Sequence, residues 1–380
     1  MKIAFCYGNL QRGGAQRVIC CLANDFLRRG DQVSILTLND GKTEYELSPE
    51  VKVTGLGVSG DSANKWESIR RFLNTERKLS RWLAEEKPDA VLAFSSKLTM
   101  QLLLARAHSG PVLICSERAN PAFRAESAAT RMERRLLKKA DGFIFQTERV
   151  KTLFPERLQK IGTVIHNGLF SPDIPENVTA FSQRNHKAIC AVGRLDNDQK
   201  AYDVMFRAFA LFHRNHPEHV LNVFGRGVDE PMLRKLIAQL GLEAFVILHG
   251  NHPHVIGEIR GMGMFVMTSR FEGMPNALIE AMACGLPCVC TDCDFGPAEL
   301  IRDGESGLLV PVDDVAAIAA AMERIADDPA LAEKLSRGAL EIRQTHGREE
   351  ICGQYRDYIL SVIKKGRANE QRHNHKVADL

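Results

Sequence analysis

Through the first 170 residues, short apolar runs alternate with longer stretches whose apolar residues recur every three or four positions. KIAFCYG, QVSILTL, VKVTGLG, DAVLAFS, PVLICSE, GFIFQT and TVIHNG read as strands. AQRVICCLANDFLRRG predicts a helix ending at Gly30, a glycine placed to follow a helix C-cap. NKWESIRRFLNTERKLSRWLAEEK predicts a long helix that stops before Pro88. Residues 171–187, SPDIPENVTAFSQRNHK, are polar, hold two prolines and read as a linker. The pattern then restarts. AICAVGR, VLNVFG, FVILHG, MFVMTS, PCVCTD and GLLVP read as strands; AYDVMFRAFALFHRNH, EPMLRKLIAQLG and NALIEAMACG read as helices. A run of helices fills 314–364.

Strands alternating with helices predict an α/β protein with parallel sheets covered on both faces. The two halves share this architecture without a sequence repeat. The expected domains are therefore two Rossmann-like sheets, 1–175 and 176–350, facing each other across a cleft. A C-terminal helix at 351–364 is expected to pack back on the first domain, and 365–380 is expected to be a frayed polar tail. Ligands of such sheets bind at the carboxyl ends of the strands.

The length of 380 residues suits two domains, and 44% apolar residues suits two cores. No apolar run reaches the ~18–20 residues of a membrane span. The opening MKIAFCYGNLQRGG lacks the layout of a signal peptide and reads as a strand entering a glycine loop, so a cytoplasmic protein is expected. Five of the ten cysteines, Cys6, Cys20, Cys21, Cys115 and Cys190, sit in apolar runs as reduced core residues. Cys284, Cys288, Cys290 and Cys293 form a cluster containing one C-x-x-C. No second ligand pair follows it, and a buried strand is the better reading. A net charge of +3 is too mild for nucleic acid. The charge is uneven, however: residues 1–180 hold 27 Lys/Arg against 20 Asp/Glu, and the remainder 23 against 27. A basic first half points to an anionic surface.

The strand ends of the second half carry the candidate chemistry. They end in Gly193-Arg194, with Lys200 six residues on; in Gly225-Arg226; in His249-Gly250; and in Ser269-Arg270, running into Glu272. Glycines let a ligand approach the backbone, and Arg194 and Lys200 supply cations for a diphosphate. The plain alternative is that the glycines turn the chain and the cations are solvated. In FEGMPNALIEAMACGLPCV, Glu272 and Glu280 stand eight positions apart across a helix entrance. Pro275 suits the first turn, and the amides of Asn276, Ala277 and Leu278 would offer an anion site. Two carboxylates flanking phosphates would accept hydroxyls, which describes a nucleotide-sugar. The alternative for Glu280 is an ordinary exposed helix position. In the first half, Gly13 and Gly14 open the first helix without the G-x-G-x-x-G fingerprint of dinucleotide binding.

GGAQR after the first strand, VGRL…QK after the linker, FEGMPNALIEAMACGLPCV and GPAELIRDGESGLLVP together resemble retaining glycosyltransferases of family 4, with the GT-B fold. The resemblance spans nearly the whole chain. It implies a UDP-sugar donor with no metal or other cofactor, and assigns Arg194 and Lys200 to the diphosphate. Glu280 would bond the ribose and Glu272 the transferred sugar. The backbone from Gly273 through Met274, Pro275, Asn276 and Ala277 to Leu278 would hold sugar and phosphates. Where many members carry a histidine, SERANP places Arg118, which would hold acceptor or donor phosphate. Within the family the chain is similar to bacterial enzymes, N-acetylgalactosaminyltransferases among them, that extend polyprenyl-diphosphate-linked saccharides. There a basic helix grips the lipid pyrophosphate; the matching segment is 65–81, with Arg70, Arg71, Arg77 and Lys78, followed by Trp82. A second basic stretch is RMERRLLKK, 131–139. Both suit peripheral contact with an anionic membrane; the alternative is a solvated helix face. An epimerase of the same fold and a non-catalytic nucleotide-sugar binder remain open alternatives.

Overall fold

The computed structural model describes residues 1–11, 13–58, 64–106, 110–118 and 128–378. Of the segment SERANP, the part from Ala119 onward lies outside these residues, as does Arg12 of the first glycine loop. The chain divides into two compact units: Met1–Phe170 with Arg348–Leu380, and Ser171–Gly347. The first seam falls at the start of the polar segment, before position 176, and the second before 351.

The first unit holds β1 (Lys2–Tyr7), α1 (Gly14–Arg28), β2 (Gln32–Thr37), β3 (Lys52–Gly55), α2 (Lys65–Glu86), β4 (Ala90–Ala93), α3 (Ser96–Ala105), β5 (Val112–Ser116), α4 (Ala128–Leu137), β6 (Gly142–Phe145), α5 (Glu148–Thr152), α6 (Glu156–Ile161) and β7 (Gly162–Val164). Its sheet runs β3-β2-β1-β4-β5-β6-β7, and every pairing is parallel. The central strands are apolar throughout because helices cover both faces. α1 ends as its sequence predicts. Gly30 sits at φ +81°, where Asp31 N–H donates to Phe26 O at 3.0 Å and Gly30 N–H to Leu27 O at 2.9 Å.

The second unit holds β8 (Asn185–Val192), α7 (Asn197–Lys200), α8 (Tyr202–Asn215), β9 (Val220–Phe224), α9 (Glu230–Gln239), β10 (Val246–Gly250), α10 (Val255–Ile259), β11 (Met262–Met267), α11 (Asn276–Ala283), β12 (Cys288–Thr291), α12 (Pro297–Leu300), β13 (Leu308–Val310), α13 (Val315–Asp327), α14 (Pro329–Ala339) and α15 (Ile342–Thr345). Its sheet order is β10-β9-β8-β11-β12-β13, again parallel throughout. Phe206, Phe209 and Phe212 of α8 pack with α13 and the sheet as its main core. The ten cysteines are all free. Burial pushes Cys284 up to about 11 and Cys293 to about 12, so these thiols stay protonated at neutral pH.

The last helix, α16 (Arg348–Ala378), belongs to the first unit. Tyr358 anchors it: its hydroxyl donates to Ile161 O at 2.6 Å and accepts Phe143 N–H at 2.8 Å. α16 runs on as helix to Ala378, through the polar residues expected to form a frayed tail from 365. GRANEQRHNHKVA contains no proline, and a helix already nucleated over four turns extends through polar residues at little cost.

Arg356 of α16 donates two bonds to the buried Asp31, at 2.7 and 3.3 Å. Burial alone would raise the Asp31 pKa; the Arg356 guanidinium helps outweigh it and holds the carboxyl below its ordinary value. Arg356→Gln should therefore cost about 2–3 kcal/mol at pH 7. This stabilisation is present above the ordinary aspartate pKa and is lost as pH falls through the depressed one. Urea titrations at pH 7 and pH 3 should show the gap between wild type and variant closing at the lower pH; an equal gap at both refutes the linkage.

Candidate functional site

In the second sheet the chain winds outward in opposite directions from β8 and β11, which are neighbours. The crevice outside the carboxyl ends of these two strands is the topological switch point, where open α/β sheets bind ligands. The segment after β8 carries Gly193, Arg194 and, on α7, Lys200. The segment after β11 carries Ser269, Arg270, Glu272 and the loop into α11.

α7 is a single helical turn stitched to the end of β11. The Asp196 carboxylate accepts Gln199 N–H at 3.4 Å, and the Asp229 carboxylate accepts Asn197 N–H at 2.7 Å. The Thr268 hydroxyl reaches both Lys200 O and Ala201 O, each at 3.0 Å. Arg270 N–H donates to Gln199 O at 2.8 Å, and its guanidinium to Asn197 O at 2.7 Å. Ala201 takes the left-handed conformation, φ +49°, that turns α7 into α8. The outcome is that Lys200 Nζ lies 2.5 Å from Glu272 Oε1, with side chains 16% and 7% exposed. Ser269 Oγ donates to the same carboxylate oxygen at 2.6 Å, and Gln199 Nε2 to Oε2 at 3.5 Å. Oε1 thus has both lone pairs engaged, while Oε2 takes one long bond and keeps room for a further donor.

Several expectations change here. Lys200 is not a solvated cation: its charge is partnered by Glu272, the residue expected at the sugar. Arg194 remains largely exposed, with Nη2 3.0 Å from Gln199 Oε1 and 3.7 Å from Asp196 Oδ2. Backbone packing by itself requires glycine at 225 and 227. A Cβ on Gly225, at φ +143°, would stand 1.8 Å from Gly193 O, and one on Gly227 would stand 2.1 Å from Leu195 O. The loops after β8 and β9 pack backbone against backbone. Arg226 lies over Gly250, its Nε 3.0 Å from where a Cβ would be. His249 stacks flat on Phe224, 4.5 Å between centroids, and its Nε2 pairs with Asn222 Oδ1 at 2.9 Å. Desolvation lowers the His249 pKa, favouring neutral imidazole.

α11 starts at Asn276, with Pro275 as its N-cap and not in its first turn. Leu278 N–H is already spent on Pro275 O, at 3.1 Å, so it cannot join the expected anion site. Glu280 is buried, which removes the reading of an ordinary exposed helix position. The Gly273–Pro275 loop, with Met274 buried, is backed by residues 294–296, which lead into the GPAELIRDGESGLLVP motif. Glu272 N–H donates to Asp294 O at 3.3 Å, Phe295 has φ +65°, and Gly296 has φ +97°. A Cβ on Gly296 would lie 2.6 Å from both Gly273 O and Pro275 Cδ. Gln199 and Thr268 were also missed; their contacts join segments some seventy residues apart, which local patterning cannot signal, whereas Ser269, named only as a strand end, reaches Glu272 three residues on.

In the first unit, Gly13 caps α1, and the Tyr45 hydroxyl bridges its N–H and C=O, both at 2.9 Å. Gly14 is the first residue of α1. Arg118, just beyond β5, is held fast. Its terminal nitrogens donate to Asn167 Oδ1 and the Tyr355 hydroxyl, both at 2.5 Å, and its guanidinium lies 4.9 Å from the Phe94 ring centre. Beside it the buried Glu117 accepts from the Ser96 hydroxyl and from Arg118 N–H. On α2 the four basic residues separate. Arg70 and Arg77 are exposed, but Arg71 lies 3.6 Å from Glu67 and Lys78 Nζ is bonded to Leu56 O at 2.6 Å. Trp82 faces the core. Trp66, Ile69 and Leu73, spaced along one stripe, are 81%, 52% and 53% exposed. They border a groove of about 740 Å³ that includes Gly57, Val58, Arg70 and Arg77. Among the described residues no helix is long and apolar enough to cross a membrane.

The paired parallel sheets and a switch-point crevice lined by cations and carboxylates define a glycosyltransferase of the GT-B class. The chain belongs to the glycosyltransferases, with a Glycosyltransferase Family 4 domain over residues 12–169 and a domain of Glycosyl transferases group 1 over residues 177–341. It is 26% identical to a Campylobacter jejuni protein over 96% of each chain. That relative is named GalNAc-alpha-(1->4)-GalNAc-alpha-(1->3)-diNAcBac-PP-undecaprenol alpha-1,4-N-acetyl-D-galactosaminyltransferase. It is 32% identical to an exopolysaccharide phosphotransferase of Streptomyces coelicolor, a match over 59% of this chain and only 24% of that protein's length. Anabaena HepE, solved with UDP and glucose, shares the fold at TM-score 0.78 and 19% identity, over 95% of this chain and all of that one. The activity is glycosyl transfer in polysaccharide assembly.

Gly225→Ala tests the backbone packing behind the site. The methyl group must displace Gly193 and strain a positive φ, so stability should fall by about 1–3 kcal/mol. Gly241→Ala, also at positive φ but with no atom within 4 Å of its Cβ position, separates strain from clash. If the two variants unfold at the same denaturant concentration, close packing is not what Gly225 serves.

Proposed function

We propose that this glycosyltransferase transfers a hexose or N-acetylhexosamine from a UDP-sugar to a lipid-linked saccharide at a membrane surface, with retention at the anomeric carbon. The observation that carries the donor reading is the Lys200–Glu272 pair at the switch point, with Arg194 exposed beside it and Glu280 buried one turn into α11. A diphosphate brings two charges to Lys200 and Arg194, which takes over part of the work Glu272 does for Lys200. The open side of Glu272 Oε2 then receives a sugar hydroxyl, and Glu280 accepts the ribose. These cations supply the charge that a divalent ion would otherwise bring, so the reading calls for no metal cofactor at the donor.

The chemistry is positioning and charge stabilisation. The bond from the anomeric carbon to the donor phosphate breaks, and the acceptor oxygen bonds to the same face. The acceptor proton passes to the departing phosphate oxygen. Arg194 and Lys200 hold the negative charge that develops there. Lys200→Ala and Arg194→Ala should each reduce donor turnover about 10- to 150-fold at sub-saturating UDP-sugar. Glu280→Gln should weaken UDP itself, whereas Glu272→Gln should act on turnover of the intact donor. Calorimetry with UDP and initial rates with a panel of UDP-sugars check this. Wild-type rates in both cation variants would remove them from the site.

The acceptor reading rests on α2 and on the lipid-linked acceptor for which the Campylobacter relative is named. An apolar stripe of Trp66, Ile69 and Leu73 flanked by Arg70 and Arg77 suits the interface of an anionic bilayer, with the protein peripheral and cytoplasmic. Replacing the three apolar residues by serine should abolish flotation with vesicles containing anionic lipid. Arg70→Glu with Arg77→Glu should weaken it in a salt-dependent way, each cation contributing about 1 kcal/mol. Turnover of a long-chain lipid acceptor should fall more than donor hydrolysis. Unchanged flotation in the triple serine variant would make α2 an ordinary solvated helix.

A further inference from the structure

The end of α8 and the turn into β9 read HRNHPEH, residues 213–219. His216 Nε2 lies 3.6 Å from Asp327 Oδ1, on the last residue of α13. His219 Nδ1 lies 3.4 Å from Glu218 Oε1. The ligating atoms of His216, Glu218 and His219 all fall within 4.8 Å of one another. A tetrahedral ion with bonds of about 2.0–2.1 Å to nitrogen and oxygen separates its ligands by about 3.3–3.4 Å. The His216–Asp327 and His219–Glu218 pairs already stand near that spacing.

His219 supplies a second observation. Its side chain is only 8% exposed, yet Nδ1 has no hydrogen-bond partner while facing a carboxylate. Either a proton or a cation must occupy that edge. The surroundings favour positive charge. α8 and α13 both end here, so their negative dipole ends meet at the cluster beside two carboxylates. Lys187 on β8 opposes with one positive charge. The rings are held in place: His216 stacks on Phe212 at 4.5 Å, and His219 meets the same ring edge-on at 5.0 Å. Asn215 Nδ2 donates to Glu323 Oε1 at 2.9 Å and ties the two helices beside the cluster.

We propose that His216, Glu218, His219 and Asp327 bind a transition-metal ion of the Zn²⁺ class, joining the α8–β9 turn to the end of α13. Because α8 runs from the carboxyl end of β8 back to the amino end of β9, the site lies on the sheet edge opposite Lys200 and Glu272. The ion there is structural, and it is independent of the donor reading.

The test uses full-length untagged protein, stripped with chelator and titrated with Zn²⁺ alone by calorimetry and thermal unfolding. One equivalent should bind, and the melting temperature should rise by several degrees when Zn²⁺ exceeds its Kd by about a hundredfold. Mg²⁺ and Ca²⁺, which favour all-oxygen sites, should do neither. Asp327→Asn, at an exposed helix end, and His216→Gln should each weaken Zn²⁺ at least about tenfold, as loss of one ligand requires. Asp327→Asn should leave the metal-free melting temperature near wild type, and it is read alone should His216→Gln not fold. Absence of Zn²⁺ binding to wild type overturns the proposal. So does undiminished affinity in Asp327→Asn together with any folded His216 variant, which would assign the metal to other histidines.

Discussion

Two charges taken out of water must find each other, and at the switch point of the second sheet they do. Glu272 and Lys200 are nearly buried and 2.5 Å apart. Desolvation of such a pair is tolerable only when the geometry is good and the leftover lone pairs are bonded. Ser269 and Gln199 bond them, Thr268 fixes the turn that carries Lys200, and Arg270 ties that turn to β11. Residues 196–201 and 268–272 together hold one ammonium against one carboxylate. A pair held this rigidly is preorganised for a ligand whose own charge can share it.

Backbone proximity is the second constraint. The loops after β8 and β9 touch main chain to main chain, and the loops around 273 and 296 do likewise. Side chains at Gly225, Gly227 or Gly296 would force these segments apart and carry Arg194 and Glu272 with them. The glycines at these strand ends keep the charged loops at a fixed separation.

In the first unit the returning helix α16 has a similar part. Tyr355 grips Arg118, Tyr358 closes on the main chain of β6 and Ile161, and Arg356 neutralises Asp31. Residues remote in sequence thereby fix the carboxyl end of β5, where Glu117 and Ser96 form a second buried polar pair.

Hydrophobic periodicity and local turn chemistry were enough to read the α/β class, most strands, the end of α1 at Gly30 and the stop of α2 before Pro88. These depend on residues a few positions apart, and the chain states them directly. The E-x7-E spacing and the cations near it were legible as candidates for the same reason. What local sequence cannot state is who partners whom. Lys200 and Glu272 are seventy-two positions apart and meet because β8 and β11 are neighbours in the sheet; Arg118 and Tyr355, more than two hundred apart, meet because α16 returns to the first unit. The same holds for partners: Arg71 and Lys78 share one stripe of α2, yet the first lies beside Glu67 of its own helix and the second is bonded to Leu56 O, just past β3. Composition and periodicity determined the elements; the sheet order decided which charges meet, because contact across a sheet depends on topology and not on distance along the chain.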